Sequence, residues 1–204
     1  MRPLNPRQLT KRTRALDVGA GIGRVTSSVL LHLVHDVVLL EPVDHFVSEA
    51  FRRVSASEHI KGEWKGIKEN QKSVTIVQGT LQDFDPSTPL DNSGKHLVLG
   101  RVGYSPAKED SESGYDVVWC QWCMGHLSDD DLIAFLIRAK KSLRSASDGS
   151  GDLDGLIVVK ENICEEHTPG VPRTVFDDQD SSLTRYVWVI AYSLIPRPCS
   201  HVRK

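Results

Sequence analysis

Ala15-Leu16-Asp17-Val18-Gly19-Ala20-Gly21-Ile22-Gly23-Arg24 runs from apolar residues into an acid and then into glycines on alternate positions, 19, 21 and 23. A helical spacing of apolar residues follows at once, at Val25, Val29, Leu30 and Leu33. Strand, tight glycine turn and helix in that order open a parallel α/β sheet that holds a ligand beyond the carboxyl end of its first strand. Glycine suits such a turn because a Cβ there would push the ligand off the backbone. The helix behind the turn offers unpaired N–H groups to a negative group.

Outward from this turn, the chain repeats strand and helix. Strands are expected at Thr13–Val18, Asp36–Leu40, Ser73–Val77, Tyr115–Gln121 and Gly155–Asn162. Their nearly continuous apolar runs suit strands buried on both faces. Helices are expected at Ile22–Val34, Asp44–Val54 and Asp129–Leu143. Ser128 caps the last of these, and its acids (129–131) and bases (138, 140, 141, 144) match the helix dipole. The expected fold is therefore α/β, a Rossmann-like, mostly parallel, doubly wound sheet. Residues 55–72 read as a polar extension and loop with an exposed Trp64, and 85–114 as a partly disordered surface insertion.

The glycine spacing bears on the ligand. Dinucleotide sites use G-x-G-x-x-G to cradle a pyrophosphate. Here the spacing is G-x-G-x-G after Asp17, which favours S-adenosylmethionine: an acid beside the turn faces its ammonium, and Arg24 its carboxylate. A dinucleotide enzyme and a purely structural turn stand as alternatives at this point. Glu41 falls at the end of the second strand, about twenty residues past the glycines, where an acid bonds ribose hydroxyls. Gln82 or Asp83, after the third strand, is placed to meet an adenine amine.

Composition excludes some classes. The 204 residues suit one domain, and a net charge of −2 gives no global signal for nucleic acid or a membrane surface. No apolar run approaches the ~18 residues of a membrane helix. Four scattered cysteines lack a disulfide framework and point to a reducing compartment. Residues 1–14 are basic and read as a flexible tail. Cys120-x-x-Cys123-x-x-His126 has a zinc-like spacing, but Cys120 lies within a strand and no second ligand pair accompanies it, so no metal is expected.

The fourth strand ends at Gln121-Trp122, with His126 beyond it. The fifth ends at Lys160-Glu161-Asn162, and Asp177-Asp178-Gln179-Asp180-Ser181-Ser182 follows. In such a sheet these groups converge at the carboxyl ends of the strands. Together with Leu-Asp-Val-Gly-Ala-Gly-Ile-Gly-Arg (16–24), Gly-Thr-Leu-Gln-Asp-Phe (79–84), Tyr-Asp-Val-Val-Trp-Cys-Gln-Trp-Cys-Met-Gly-His-Leu (115–127) and Val-Val-Lys-Glu-Asn (158–162), they resemble the protein N-terminal methyltransferases. That family methylates the α-amine of chains beginning X-Pro-Lys or X-Pro-Arg. The resemblance runs across about residues 15–185.

The resemblance implies S-adenosylmethionine as cofactor, held by Gly19, Gly21, Arg24, Glu41, Leu81, Gln82 and Gln121. It implies that Trp122 packs on the substrate proline, that Asn162 bonds the backbone of the first substrate residue, and that Asp177 and Asp180 meet the cationic third residue. His126 and Asp180 are the candidate general bases, and Asn162 completes the catalytic set. The chemistry agrees with this. An α-amine is about a fifth neutral at pH 7.4, against roughly a thousandth for a lysine amine, so a nearby His or Asp suffices as base. The partners expected are protein N-termini, acted on by a monomer in the cytoplasm and also the nucleus, without nucleic acid or membrane. The rival readings are another methyltransferase, for a small molecule or a protein side chain, and a non-catalytic cofactor-binding protein.

The ends depart from the family pattern. Only a short basic stretch precedes Ala15, and after Arg185 the residues no longer follow the expected helix and strands. The expectation is a chain truncated at both ends, its C-terminal tail of the kind a mispredicted splice site or read-through would produce. Its atypical tail is 186–204, and the sheet is incomplete at the C-terminal side, with an apolar edge unless residues 186–195 cover it.

Overall fold

The computed structural model describes residues 12–59, 62–91, 94–145 and 154–161, and the backbone of 188–190. Strands β1 (Arg14–Val18), β2 (Asp36–Glu41), β3 (Ser73–Gln78), β4 (Leu97–Gly103), β5 (Val117–Gln121), β6 (Leu156–Lys160) and β7 (Trp188–Ile190) form one sheet in the order β4-β3-β2-β1-β5-β6-β7. β3, β2, β1, β5 and β6 run parallel, and β4 and β7 flank them antiparallel. Strand order reverses between β1 and β5, the place where open α/β sheets leave a crevice for a ligand. The expected Rossmann-like sheet is present.

Alternation along β1 sorts its residues between two cores. Ala15 packs with Val25, Leu30, Val47, Ala50 and Trp64 on one face. Leu16 and Val18 pack with Phe84, Tyr115, Phe135 and Ala139 on the other. Helix α2 (Asp44–Ala56) covers the first face and α4 (Asp129–Lys141) the second, each through its buried apolar stripe. Ser128 caps α4 as expected, its Oγ accepting the Asp131 N–H at 3.2 Å.

Three expectations need correction. The first helix is not a plain α-helix from Ile22. It has a π-helical turn, Thr26–Leu30, leading into the short α1 (Leu31–Leu33).

The segment 85–114 holds β4 and the short α3 (Lys108–Ser111), and β4 lies along β3. Its strand pattern is hidden by Gly100 and Gly103 and by a register shift opposite Ile76/Val77. Arg101 clamps it, donating to Thr75 Oγ1 at 2.8 Å.

Arg12 and Arg14 do not belong to a loose tail. Arg12 makes two 2.8 Å bonds to the Asp36 carboxylate and lies 3.9 Å over the Tyr104 ring. The Arg14 N–H donates to Asp116 Oδ2 at 2.6 Å, an oxygen that also takes Arg144.

The outer edge of β6 is covered from within residues 186–195, the outcome the sequence left open. Val158 pairs antiparallel with Val189 of β7, within the stretch expected to be atypical.

Candidate active site

The three glycines of the turn all have positive φ, +62° at Gly19, +57° at Gly21 and +82° at Gly23, but different surroundings. A Cβ on Gly19 would lie 2.5 Å from Cys123 Cβ, and one on Gly23 2.5 Å from the Trp64 ring. A Cβ on Gly21 would meet nothing within 4 Å. The outer glycines therefore serve packing, and Gly21 lines the cradle. Trp64 is buried, 6% exposed, and supports the turn from behind, which corrects the reading of it as exposed.

Glu41 closes the cradle from β2. Its Oε2 accepts the Gly21 N–H at 2.8 Å and its Oε1 the Val43 N–H at 3.0 Å. Each carboxylate oxygen keeps a second lone pair for a hydroxyl. The Ala20 N–H to Leu40 carbonyl bond, 3.1 Å, ties the same turn to β2.

Asp17 is not a facing group. Alternation turns it toward the π turn, where it is 1% exposed and its Oδ2 accepts the Thr26 hydroxyl at 2.6 Å. Burial pushes its carboxyl up to about 7.

After β3, Leu81 is buried and Gln82 exposed, with Asp83 turned to the Thr80 hydroxyl at 2.9 Å. Arg138 of α4 holds this loop. Its guanidinium donates to the carbonyls of Leu81 at 2.6 Å, Gln82 at 3.1 Å and Phe84 at 3.1 Å.

At the end of β5, Gln121 is buried and accepts the Trp119 indole N–H at 3.3 Å. Trp122 stands beyond it with φ +58° and is 40% exposed. A left-handed conformation at a bulky residue costs about 1–3 kcal/mol and persists only where its surroundings fix it. The Arg24 guanidinium and the Lys160 ammonium each lie 5.5 Å from the Trp122 ring. His126 is exposed on the 3₁₀ turn Met124–His126.

Glu161, just past β6, accepts the N–H groups of Cys123 at 2.8 Å and Met124 at 2.9 Å. Burial pushes the Cys120 thiol up, and the Cys123 thiol to about 12.

Gly19, Gly21, Arg24, Glu41, Leu81, Gln82, Gln121, Trp122 and His126 thus sit at the carboxyl ends of β1, β2, β3 and β5 or in the turns that follow. Asn162, Asp177 and Asp180 lie outside the described residues. The sequence reading missed Thr26, Trp64, Arg138 and the use of Glu161. Only Glu161 had a visible signal, an acid at a strand end facing the candidate loop.

The geometry fits S-adenosylmethionine at this cradle: an open face at Gly21, a carboxylate beside it for hydroxyls, and an arginine at the helix start for a carboxylate. The family model described as AdoMet dependent proline di-methyltransferase matches residues 1–192, including the basic start and residues past Arg185. The alpha N-terminal protein methyltransferase 1 of Oryza sativa subsp. indica is 34% identical over 171 residues, 84% of this chain and 41% of that one. The N-terminal Xaa-Pro-Lys N-methyltransferase 1 of Homo sapiens is 34% identical over 176 residues, 86% of this chain and 56% of that one. A solved SAM-dependent methyltransferase of Leishmania major is 26% identical with a TM-score of 0.47, over 74% of this chain and 43% of that one. The chain spans about half the length of the relatives it matches.

Proposed function

The chain belongs to the AdoMet-dependent proline di-methyltransferase family, and from that premise we propose that it methylates the α-amine of protein chains beginning X-Pro-Lys or X-Pro-Arg. The observation that carries this reading is Trp122. A large ring is held in a left-handed backbone conformation, partly exposed, next to the glycine turn. Such a ring suits a proline, which gives up little conformational freedom on binding.

S-adenosylmethionine, when bound, supplies an electrophilic methyl group on a sulfonium, so the chain's own work is positioning and proton removal. Gly21 gives the cofactor its open face, Glu41 bonds its hydroxyls, and Arg24 meets its carboxylate. Leu81, Gln82 and Gln121 flank the base, with the loop 81–84 held by Arg138. His126, exposed beside Trp122 in sequence, takes the proton of the substrate amine together with Asp180. Asn162, Asp177 and Asp180 hold the first and third substrate residues in the same reading, which for them rests on the family pattern.

The reading includes a monomer working in the cytoplasm and the nucleus on protein ends, without nucleic acid or membrane. Scattered thiols support a reducing compartment, and a net charge of −2 gives no global attraction to nucleic acid or a membrane surface.

Calorimetric titration with S-adenosylmethionine, followed by methyl transfer to a Ser-Pro-Lys-Arg peptide with a free or an acetylated α-amine, tests it. Transfer to the free peptide alone is the expected result. Transfer to the acetylated peptide would exclude the α-amine reading, and tight cofactor binding without transfer would mark a binding protein.

A further inference from the structure

Glu161 sits where β6 ends, opposite the loop that leaves β5. Its Oε1 accepts two consecutive backbone N–H groups, from Cys123 at 2.8 Å and from Met124 at 2.9 Å. The N–H before them, on Trp122, is taken by the Lys160 carbonyl at 3.0 Å. Residues 160 and 161 therefore receive three successive N–H groups of the loop.

Successive backbone N–H groups in a turn form a small concavity that takes an anion. Trp122 has φ +58°, and Cys123 follows with φ −128° and ψ −20°. The carboxylate and the left-handed Trp122 thus depend on each other. Without the anion, two half-buried N–H groups lose their partner, and the left-handed Trp122 loses one of the contacts that fix it.

The loop is pinned at a second point. Cys123 Cβ fills the space that a Cβ on Gly19 would need, 2.5 Å away. The Trp122 ring is consequently indexed to the cofactor turn through Cys123 and to β6 through Glu161.

We propose that Glu161 is the positioning residue of the peptide site, fixing the direction of the Trp122 ring through the amides of Cys123 and Met124. This rests on the reading of Trp122 as the platform for the substrate proline. Glu161 acts through the backbone of its own chain, by its two bonds to the loop amides.

The test uses the full chain as wild type, Glu161→Ala and Glu161→Gln, with amide hydrogen exchange, cofactor calorimetry and steady-state kinetics on Ser-Pro-Lys-Arg. In Glu161→Ala the Cys123 and Met124 amides lose protection while those of Val118 and Cys120 keep it. The peptide KM rises at least about tenfold, kcat changes less, and the cofactor Kd stays within about threefold. Glu161→Gln keeps an oxygen in place and raises the peptide KM about two- to fourfold, with partial loss of protection.

Unchanged protection or an unchanged peptide KM in Glu161→Ala overturns the proposal. So does an equal loss of cofactor and peptide affinity, which would make Glu161 a residue of the fold alone. If the alanine variant does not fold, Glu161→Gln decides by the same readings. A wild-type chain that transfers no methyl overturns the function read for Trp122, and exchange at Cys123 and Met124 then decides the latch alone.

Discussion

The Thr26 hydroxyl donates a 2.6 Å hydrogen bond to the Asp17 carboxylate, joining the end of β1 to the π turn beneath the glycines. Both side chains are buried, and burial holds the Asp17 carboxyl at about 7 in the fold. In the unfolded chain the group titrates near 3.9. The folded state therefore binds more protons between these values, and this group's stabilising contribution is complete below the unfolded value and is lost as pH rises toward 7.

Asp17→Asn removes that penalty, which is of the order of 4 kcal/mol above pH 7. His35 works the other way over part of the same range. Burial lowers its pKa while its Nδ1 accepts the Thr13 N–H, so its contribution is lost as pH falls through its lowered value. The readout is thus the difference between variant and wild-type melting curves. Asp17→Asn gains at least about 5 °C relative to wild type on going from pH 5 to pH 8. A difference that does not change with pH would show that Asp17 ionises freely.

Gly19 and Gly21 separate packing from ligand space. Gly19→Ala puts a Cβ 2.5 Å from Cys123 Cβ and destabilises by about 3 kcal/mol, counting overpacking and the left-handed backbone. Adding Cys123→Gly removes the atom it meets and recovers part of the loss. Gly21→Ala meets no atom, so it costs only about 1 kcal/mol of stability. It nevertheless weakens S-adenosylmethionine by at least about thirtyfold, or roughly 2 kcal/mol. Calorimetry and denaturant melts on the same samples check both. Normal cofactor affinity in Gly21→Ala would move the cradle elsewhere.

The parallel strands were legible because each is a short apolar run with both faces covered, as in Val37–Leu40 of β2. β4 was not, since Gly100, Gly103 and a register shift break its alternation and the partner strand alone makes it a strand. Trp64 lies in a polar stretch, and nothing local says that its ring reaches Gly23. Glu41, Trp122 and the glycines were legible from position at strand ends. Arg138 and Glu161 act across 56 and 38 residues, through backbone atoms that carry no side-chain signature.

Arg138 is the clearest of the residues that only the fold exposes. One guanidinium satisfies three carbonyls of the loop from Leu81 to Phe84. Arg138→Ala is expected to lose about 2 kcal/mol of stability, the scale of hydrogen bonds to a charged donor. With the loop released, cofactor affinity falls by about tenfold, equal to roughly 1.4 kcal/mol. Arg138→Lys, a point charge without the planar fork, recovers less than half of either effect. Wild-type cofactor affinity in Arg138→Ala would detach this loop from the binding site.

Trp122 offers a sharper division between fold and function. At φ +58° the backbone favours glycine, and relief of about 1–3 kcal/mol of strain offsets much of what is lost by deleting a ring that is only 40% exposed. Trp122→Gly is therefore expected to lose about 2 kcal/mol, a fall in Tm of about 4–8 °C that leaves the chain folded, the relieved strain offsetting part of the lost contacts. Cofactor affinity should stay within about threefold, because the atom against Gly19 belongs to Cys123 and not to Trp122. Transfer to Ser-Pro-Lys-Arg, read as kcat/KM, should fall at least about fiftyfold, since the proline loses the surface that orients the amine. A residue kept for packing would give lost stability alone, with turnover retained in the folded fraction. That result would remove Trp122 from the peptide site.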